Sequence, residues 1–253
     1  MPTHILLVAI LALLATLALA ADSGSTTAPA SGKPMFEDSL GSLDHWVSEG
    51  PHVVEIDKGH LHIKTVDDEK KVGQYVWCKQ ELPADFRVEF DMTPVSDSGF
   101  FLIFFCTEGV KGEDILGPEL FDQFLNYKTW KQYQDWDKYT TNRKTDPRIR
   151  CYHTSYRRSA SADCNLRKNP GLNLLKGNKL DSLLPKDKVA HVVLTKQGGH
   201  IHLDVNGQEF MDYIDATDVY SGGRFGFRQV YEADGYYSNF KMFDLTPAPA
   251  AKK

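Results

Sequence analysis

Between Arg150 and Lys168 the chain reads RCYHTSYRRSASADCNLRK, a run of cations that includes a histidine and two tyrosines. Arg143, Lys144 and Arg148 precede it, and only Asp146 and Asp163 oppose this charge locally, although the whole chain carries a formal net charge of −5. A field of one sign on an otherwise acidic surface concentrates partners of the other sign, so the stretch argues for an anionic ligand. A solvated basic loop is the competing reading.

The residue types also suit a reaction. Abstracting the proton beside a uronate carboxylate leaves charge that spreads onto that carboxylate, where a guanidinium and an amide donor stabilise it. Arg167 and Asn165 fit those tasks, while His153 and Tyr156 supply a base and an acid for the proton and the departing oxygen. Such a β-elimination makes a polysaccharide lyase if a sugar leaves and an oligosaccharide dehydratase if water leaves. Arg157, Arg158, Lys168, Arg228 and Gln229 would bind the substrate, the planar guanidinium of Arg228 suiting a carboxylate.

Two other classes compete. Glycoside hydrolysis needs two carboxyls across the scissile bond. Glu89 and Asp91 alternate with Val88, Phe90 and Met92 as the solvent face of a strand would, and Glu113 with Asp114 is a second pair, equally able to cap a helix or hold a sugar hydroxyl. A non-catalytic glycan-binding module needs only aromatic platforms and hydrogen-bonding partners, which Tyr75, Trp77, Trp130 and Trp136 can supply. No phosphate loop, dinucleotide fingerprint or nucleophile elbow occurs. Net negative charge and an export signal speak against nucleic acid.

The elements that must hold these residues are strands. His52–Ile56 and His60–Thr65 flank a turn at Asp57-Lys58-Gly59, followed by Gly73–Lys79, Phe86–Val95 and Gly99–Thr107. The run from Phe100 to Phe105 is apolar on both faces and predicts a strand covered on each side. Residues 113–145 lose the alternation and predict a partly helical insertion, its aromatics recurring from Tyr127 to Tyr139. Ala190–Lys196, His200–Val205, Gln208–Tyr213, Gly223–Tyr231 and Tyr236–Leu245 complete an all-β antiparallel sandwich. Alternation then puts His153, Ser155 and Arg157 on one face, with Tyr156 opposite, and pairs Asn165 with Arg167.

The domain spans residues 35–246. Before it, residues 1–20 predict a signal peptide, whose apolar run Ile5–Ala20 ends in small residues, and residues 21–34 a flexible linker. Residues 247–253 are a tail. The implied destination is secreted or periplasmic, with no membrane contact after cleavage. An oxidising compartment permits disulfides: Cys151 with Cys164 would staple the basic stretch, whereas Cys78 and Cys106 sit in apolar runs as small hydrophobes. The cysteine spacing does not suit zinc.

The last third, VVLTKQGGHIHLDVNGQEF followed by GGRFGFRQV and YYSNFKMFDL, resembles the concanavalin A-like and galectin-like jelly-roll sandwiches. Gly112-Glu113-Asp114, His153-Thr154-Ser155-Tyr156, Cys164-Asn165-Leu166-Arg167-Lys168 and Gly226-Phe227-Arg228-Gln229 occur in the order seen in YesU-like proteins, a family catalogued as a domain of unknown function. The resemblance implies a carbohydrate theme and an acidic polysaccharide or oligosaccharide as partner. The chemistry requires no cofactor. In related sandwiches a structural calcium can bridge the first and last strands, which nominates Glu37, Asp38 and Asp244 as oxygen ligands.

Overall fold

The apolar run at Phe100–Phe105 does become a strand buried on both sides, and the rest of the architecture follows from covering it. The computed structural model describes residues 32–66, 73–118, 120–121, 149–156, 164–178 and 184–247. The signal-like run, most of the linker and tail, Trp130, Trp136, Arg157, Arg158 and the insertion from residue 122 to 148 lie outside them. In chain order the strands are β1 Phe36–Asp38, β2 Trp46–Glu49, β3 Val53–Asp57, β4 His60–Lys64, β5 Gln74–Glu81, β6 Phe86–Pro94, β7 Phe100–Gly109 and β8 Ile149–Tyr156. They continue as β9 Cys164–Asn169, β10 Asn173–Asn178, β11 Ala190–Gln197, β12 His200–Val205, β13 Gln208–Ile214, β14 Arg224–Val230 and β15 Asp234–Asp244.

These strands form two antiparallel sheets, and among the described residues there is no helix. Sheet I has the order β13-β12-β11-β6-β15-β4-β3, with β1 added against β15. Sheet II has the order β10-β9-β8-β7-β14-β5-β2. The described start of the insertion is built of turns. Short hairpins set the meander in sheet I, as at Asn206-Gly207, where positive φ at both residues matches the twist of the flanking strands.

Alternation along each strand divides the apolar side chains between two clusters. Phe101, Ile103 and Phe105 of β7 join Val88, Phe90, Phe225 and Phe227 in the core between the sheets. Leu102 and Phe104 point the other way, into a second cluster with Tyr75, Trp77, Ile115, Leu120, Ile149 and Cys151 on the outer face of sheet II. Ile115 and Leu120 come from the insertion, which therefore covers part of that face.

All four cysteines are buried and none is in a disulfide, so the expected Cys151–Cys164 bridge is not formed. Cys151 lies opposite Asn169, five residues along β9 from Cys164 and roughly 16 Å away by strand geometry. The two thiols also belong to different clusters, Cys151 to the outer one and Cys164 to the core. A bridge needs Cα atoms within about 7 Å.

Gly226 shows how tightly the outer face is packed. A Cβ there would sit 2.3 Å from Cε3 of Trp77, whose indole lies over β14 and is fully buried. Overpacking of this kind costs about 1–3 kcal/mol. Gly226→Ala is therefore expected to lower the unfolding free energy by that amount, read as a lower urea midpoint with an unchanged m-value; an unaltered midpoint would show that the indole has room to move.

Candidate functional site on the outer face of sheet II

Two rows of side chains cross this face at right angles to the strands. The first runs Arg167, His153, Phe104, Gly226, Trp77 and Val47. The second runs Asn165, Ser155, Leu102, Arg228, Tyr75 and Glu49. The expected grouping of His153, Ser155, Asn165, Arg167 and Arg228 is thus realised by strand pairing, with Tyr75 and Trp77 beside them.

Arg228 is the unusual member. It is 6% exposed, its guanidinium lies 5.0 Å over the Tyr75 ring and 5.9 Å from Phe104, and among the described residues its buried Nε has no hydrogen-bond partner. Gly73 makes room for it, since a Cβ there would fall 2.6 Å from that Nε. Of the described arginines, Arg87, Arg150 and Arg224 pair with Glu89, Glu108 and Asp114, whereas Arg167 and Arg228 pair with no carboxylate. Arg167 donates from Nη1 to the carbonyl of Leu172 at 2.7 Å.

His153 lies between these two cations. It is 4% exposed and stacks on Phe104 at 4.9 Å and 12°. Burial first, then Arg228 and Arg167, push its pKa down from 6.5 to about 3, so the ring is neutral at physiological pH. Its Nδ1 is 2.7 Å from Nδ2 of Asn169. Sequence reasoning missed Asn169, and it missed Glu49, which is fully buried at the end of the second row and accepts from Nε1 of Trp77 at 3.0 Å. Tyr75 and Trp77 stack on each other at 5.5 Å under cover, so they are walls of the site and not exposed platforms. Burial raises the Tyr75 phenol above its ordinary pKa.

Several nominated residues are placed elsewhere. Tyr156 is on the core side of β8, packed on Phe101 and Phe210 with its hydroxyl unpartnered, and burial pushes that hydroxyl well up. It cannot serve as proton donor beside His153, because strand residues an odd number apart point to opposite faces. Lys168 also turns inward, donating to Asp215 at 2.7 Å and to the carbonyls of Thr217 and Asp218 at 2.6 Å. Gln229 is fully buried, accepting from the Tyr237 hydroxyl at 3.1 Å and donating to the carbonyls of Ile63 and Ala233.

The carboxylates have structural partners. Glu113 accepts from the Lys111 amide at 2.9 Å, and backbone hydrogen bonds hold its pKa below the usual range. Asp114 takes a two-pronged bond from Arg224, at 3.0 and 2.6 Å, which lowers its pKa and ties the insertion to β14. Glu89 and Asp91 lie on the outer face of sheet I, bonded to Arg87 and to His191.

The nominated calcium ligands do not converge. Asp38 accepts from the Leu40 amide at 2.7 Å and from Trp46 Nε1 at 3.2 Å, and it bonds His45 Nδ1 at 2.9 Å. Glu37 and Asp38 pair with Lys241 and Phe240, so Asp244 lies three to four residues further along β15, roughly 10–13 Å away. Among the described residues no three His, Cys, Asp or Glu side chains could share an ion.

The lowered pKa of His153 makes stability depend on pH. The unfolded chain binds the extra proton between about pH 6.5 and 3, so this contribution is complete above 6.5 and is lost as pH falls toward 3. Its slope is at most about 1.4 kcal/mol per pH unit. Urea unfolding at stepped pH should give a shallower acid loss for His153→Gln than for the parent; equal slopes would mean that His153 is not the titrating group.

Comparison with known proteins agrees with the fold. Residues 35–242 match the model of a domain of unknown function, DUF1961. The chain is 28% identical over 217 residues to YesU, an uncharacterised protein of Bacillus subtilis (strain 168), covering 81% of this chain and 91% of that one. A Bacillus subtilis protein of unknown function with a galectin-like fold superposes with a TM-score of 0.69 at 25% identity, over 84% of this chain and 96% of that one. The carbohydrate-binding module CBM66 from Bacillus subtilis shares the fold at a TM-score of 0.51 and 13% identity, over 79% and 96% of the two chains. Both the expected sandwich and the resemblance carried by the Cys164–Lys168 motif are borne out, and the chain belongs to the DUF1961 family.

Proposed function

We propose that this protein binds an acidic glycan on the outer face of sheet II, with Arg228 and Arg167 receiving the carboxylate of a uronate. The observation that carries the reading is the buried guanidinium of Arg228, which meets the Tyr75 hydroxyl but, among the described residues, no carboxylate, and whose Nε has no partner there. An unpaired buried charge costs several kcal/mol, so a site of this kind is completed by an anion. The flanking aromatic rings of Tyr75 and Phe104 suit a sugar face, and the fold is one that CBM66 uses as a carbohydrate-binding module. The apolar run Ile5–Ala20 fits a secreted or periplasmic setting for such a ligand.

Binding is favoured over turnover. β-Elimination at the uronate would use the same guanidinium groups, but it also needs an acid for the departing oxygen, and Tyr156 faces the core.

Titration calorimetry with uronate oligosaccharides and their neutral counterparts tests the proposal. The parent protein should prefer the uronate, and Arg228→Gln should weaken it at least about tenfold, the worth of one charged hydrogen bond. Equal affinity for neutral and acidic sugars would sink the acidic-ligand reading, and ultraviolet absorbance from an unsaturated product would replace binding by elimination.

A further inference from the structure

We infer that Asn169 fixes His153 as a hydrogen-bond donor at Nε2, so that the face offers donors alone to a ligand at this point. The inference rests on the acidic-glycan reading and specifies how that site recognises its ligand. Asn169 is 1% exposed, and its amide cannot turn freely. Oδ1 accepts from the backbone amide of Leu172 at 3.2 Å, which directs Nδ2 toward Nδ1 of His153 at 2.7 Å and toward Sγ of Cys151 at 3.4 Å. An amide nitrogen only donates, so Nδ1 must hold the lone pair. In a neutral imidazole the proton then resides on Nε2.

One turn organises the neighbouring donor as well. Between β9 and β10 the chain passes through Gly171 at φ 102° and Leu172 at φ 54°. Leu172 presents its N–H to Asn169 and its carbonyl to Nη1 of Arg167, so a single residue orients both the amide behind His153 and the guanidinium beside it. The ring itself is held flat on Phe104. Arg167, Arg228 and the Nε2–H of His153 thereby offer donors only, which fits a carboxylate or ring oxygens and rejects a ligand that presents a donor there. In this tautomer Nε2 has no lone pair with which to take a proton from a sugar carbon. Asn169 is thus a positioning residue that makes the site a receptor for acceptors.

The test reads the tautomer directly, by two-bond proton–nitrogen correlation NMR on protein labelled with nitrogen-15 at histidine and free of sugar, with His153→Gln assigning the signal. The expected spectrum has Nε2 protonated and Nδ1 bare. Asn169→Asp replaces the donor behind the ring by an acceptor, so the proton should move to Nδ1 and affinity for a uronate disaccharide should fall at least about tenfold. A proton on Nδ1 in the parent protein overturns the inference, as does an unchanged tautomer in folded N169D. The parent spectrum decides alone if N169D does not fold. Because that spectrum is recorded without ligand, the expected tautomer together with no uronate binding upholds the role of Asn169 and overturns the acidic-glycan reading only.

Discussion

The middle of sheet II, at β5, β7 and β14, is buried on both faces, and most of what distinguishes this protein follows from that constraint. In a sandwich each sheet ordinarily gives one face to the core and the other to water, which leaves polar side chains outside at little cost. Here Phe101, Ile103 and Phe105 fill the core while Leu102 and Phe104, from the same strand, pack under the insertion with Trp77 and Ile115. Any polar group on the outer face is therefore partly desolvated and must find a partner. Trp77 finds Glu49, and Asn169 finds Leu172 and His153. Arg228 has aromatic rings beneath it and, among the described residues, no carboxylate paired with it.

The contrast with Lys168 separates structure from function among the cations of this region. Lys168 is also nearly buried, but its ammonium meets Asp215 and two carbonyls and lies 4.6 Å over the Tyr220 ring. Tyr152 donates to the same carboxylate at 2.5 Å, so the whole group is satisfied internally. Burying a cation with its anion and its hydrogen bonds in place costs little, whereas burying one without them is tolerated only where something else supplies the charge. By that criterion Lys168 ties β9 to the loop after β13, whereas Arg228 is the cation that no described carboxylate matches. Arg224, bonded to Asp114, belongs with Lys168.

Much of this was legible in the sequence through period-two alternation. The apolar run in β7, the hairpins at Asp57-Lys58-Gly59 and Asn206-Gly207, and the common face of His153 and Ser155 all come from local pattern. The same rule that sends Arg167 and Arg228 outward sends Lys168 and Gln229 inward, yet their position in family motifs suggested ligand contact. Motif membership does not distinguish a residue that touches a ligand from one that builds the wall behind it. For Glu113 and Asp114 both a structural and a sugar-binding role stood open, and the bond of Asp114 to Arg224 could be known only from the folded chain. Asn169 carried a fainter signal: it shares the face of Arg167 two residues before and opens an Asn-Pro-Gly turn. Glu49 carried none, because its partner Trp77 is 28 residues away.

The site draws its precision from strands. Arg167 on β9 and Arg228 on β14 are separated by β8 and β7, three strand spacings or roughly 14 Å across the sheet, and by one row along it. Both charges act on His153, which pairs directly with Arg167 and lies two strands from Arg228. Positions held by backbone ladders cannot drift as loop positions can, so the cost of aligning the donors is met during folding and is not charged again when a ligand arrives. The same rigidity would restrict any ligand, since donors held on strands cannot follow an anion that presents its oxygens elsewhere, and a face built this way favours a narrow range of ligand shapes.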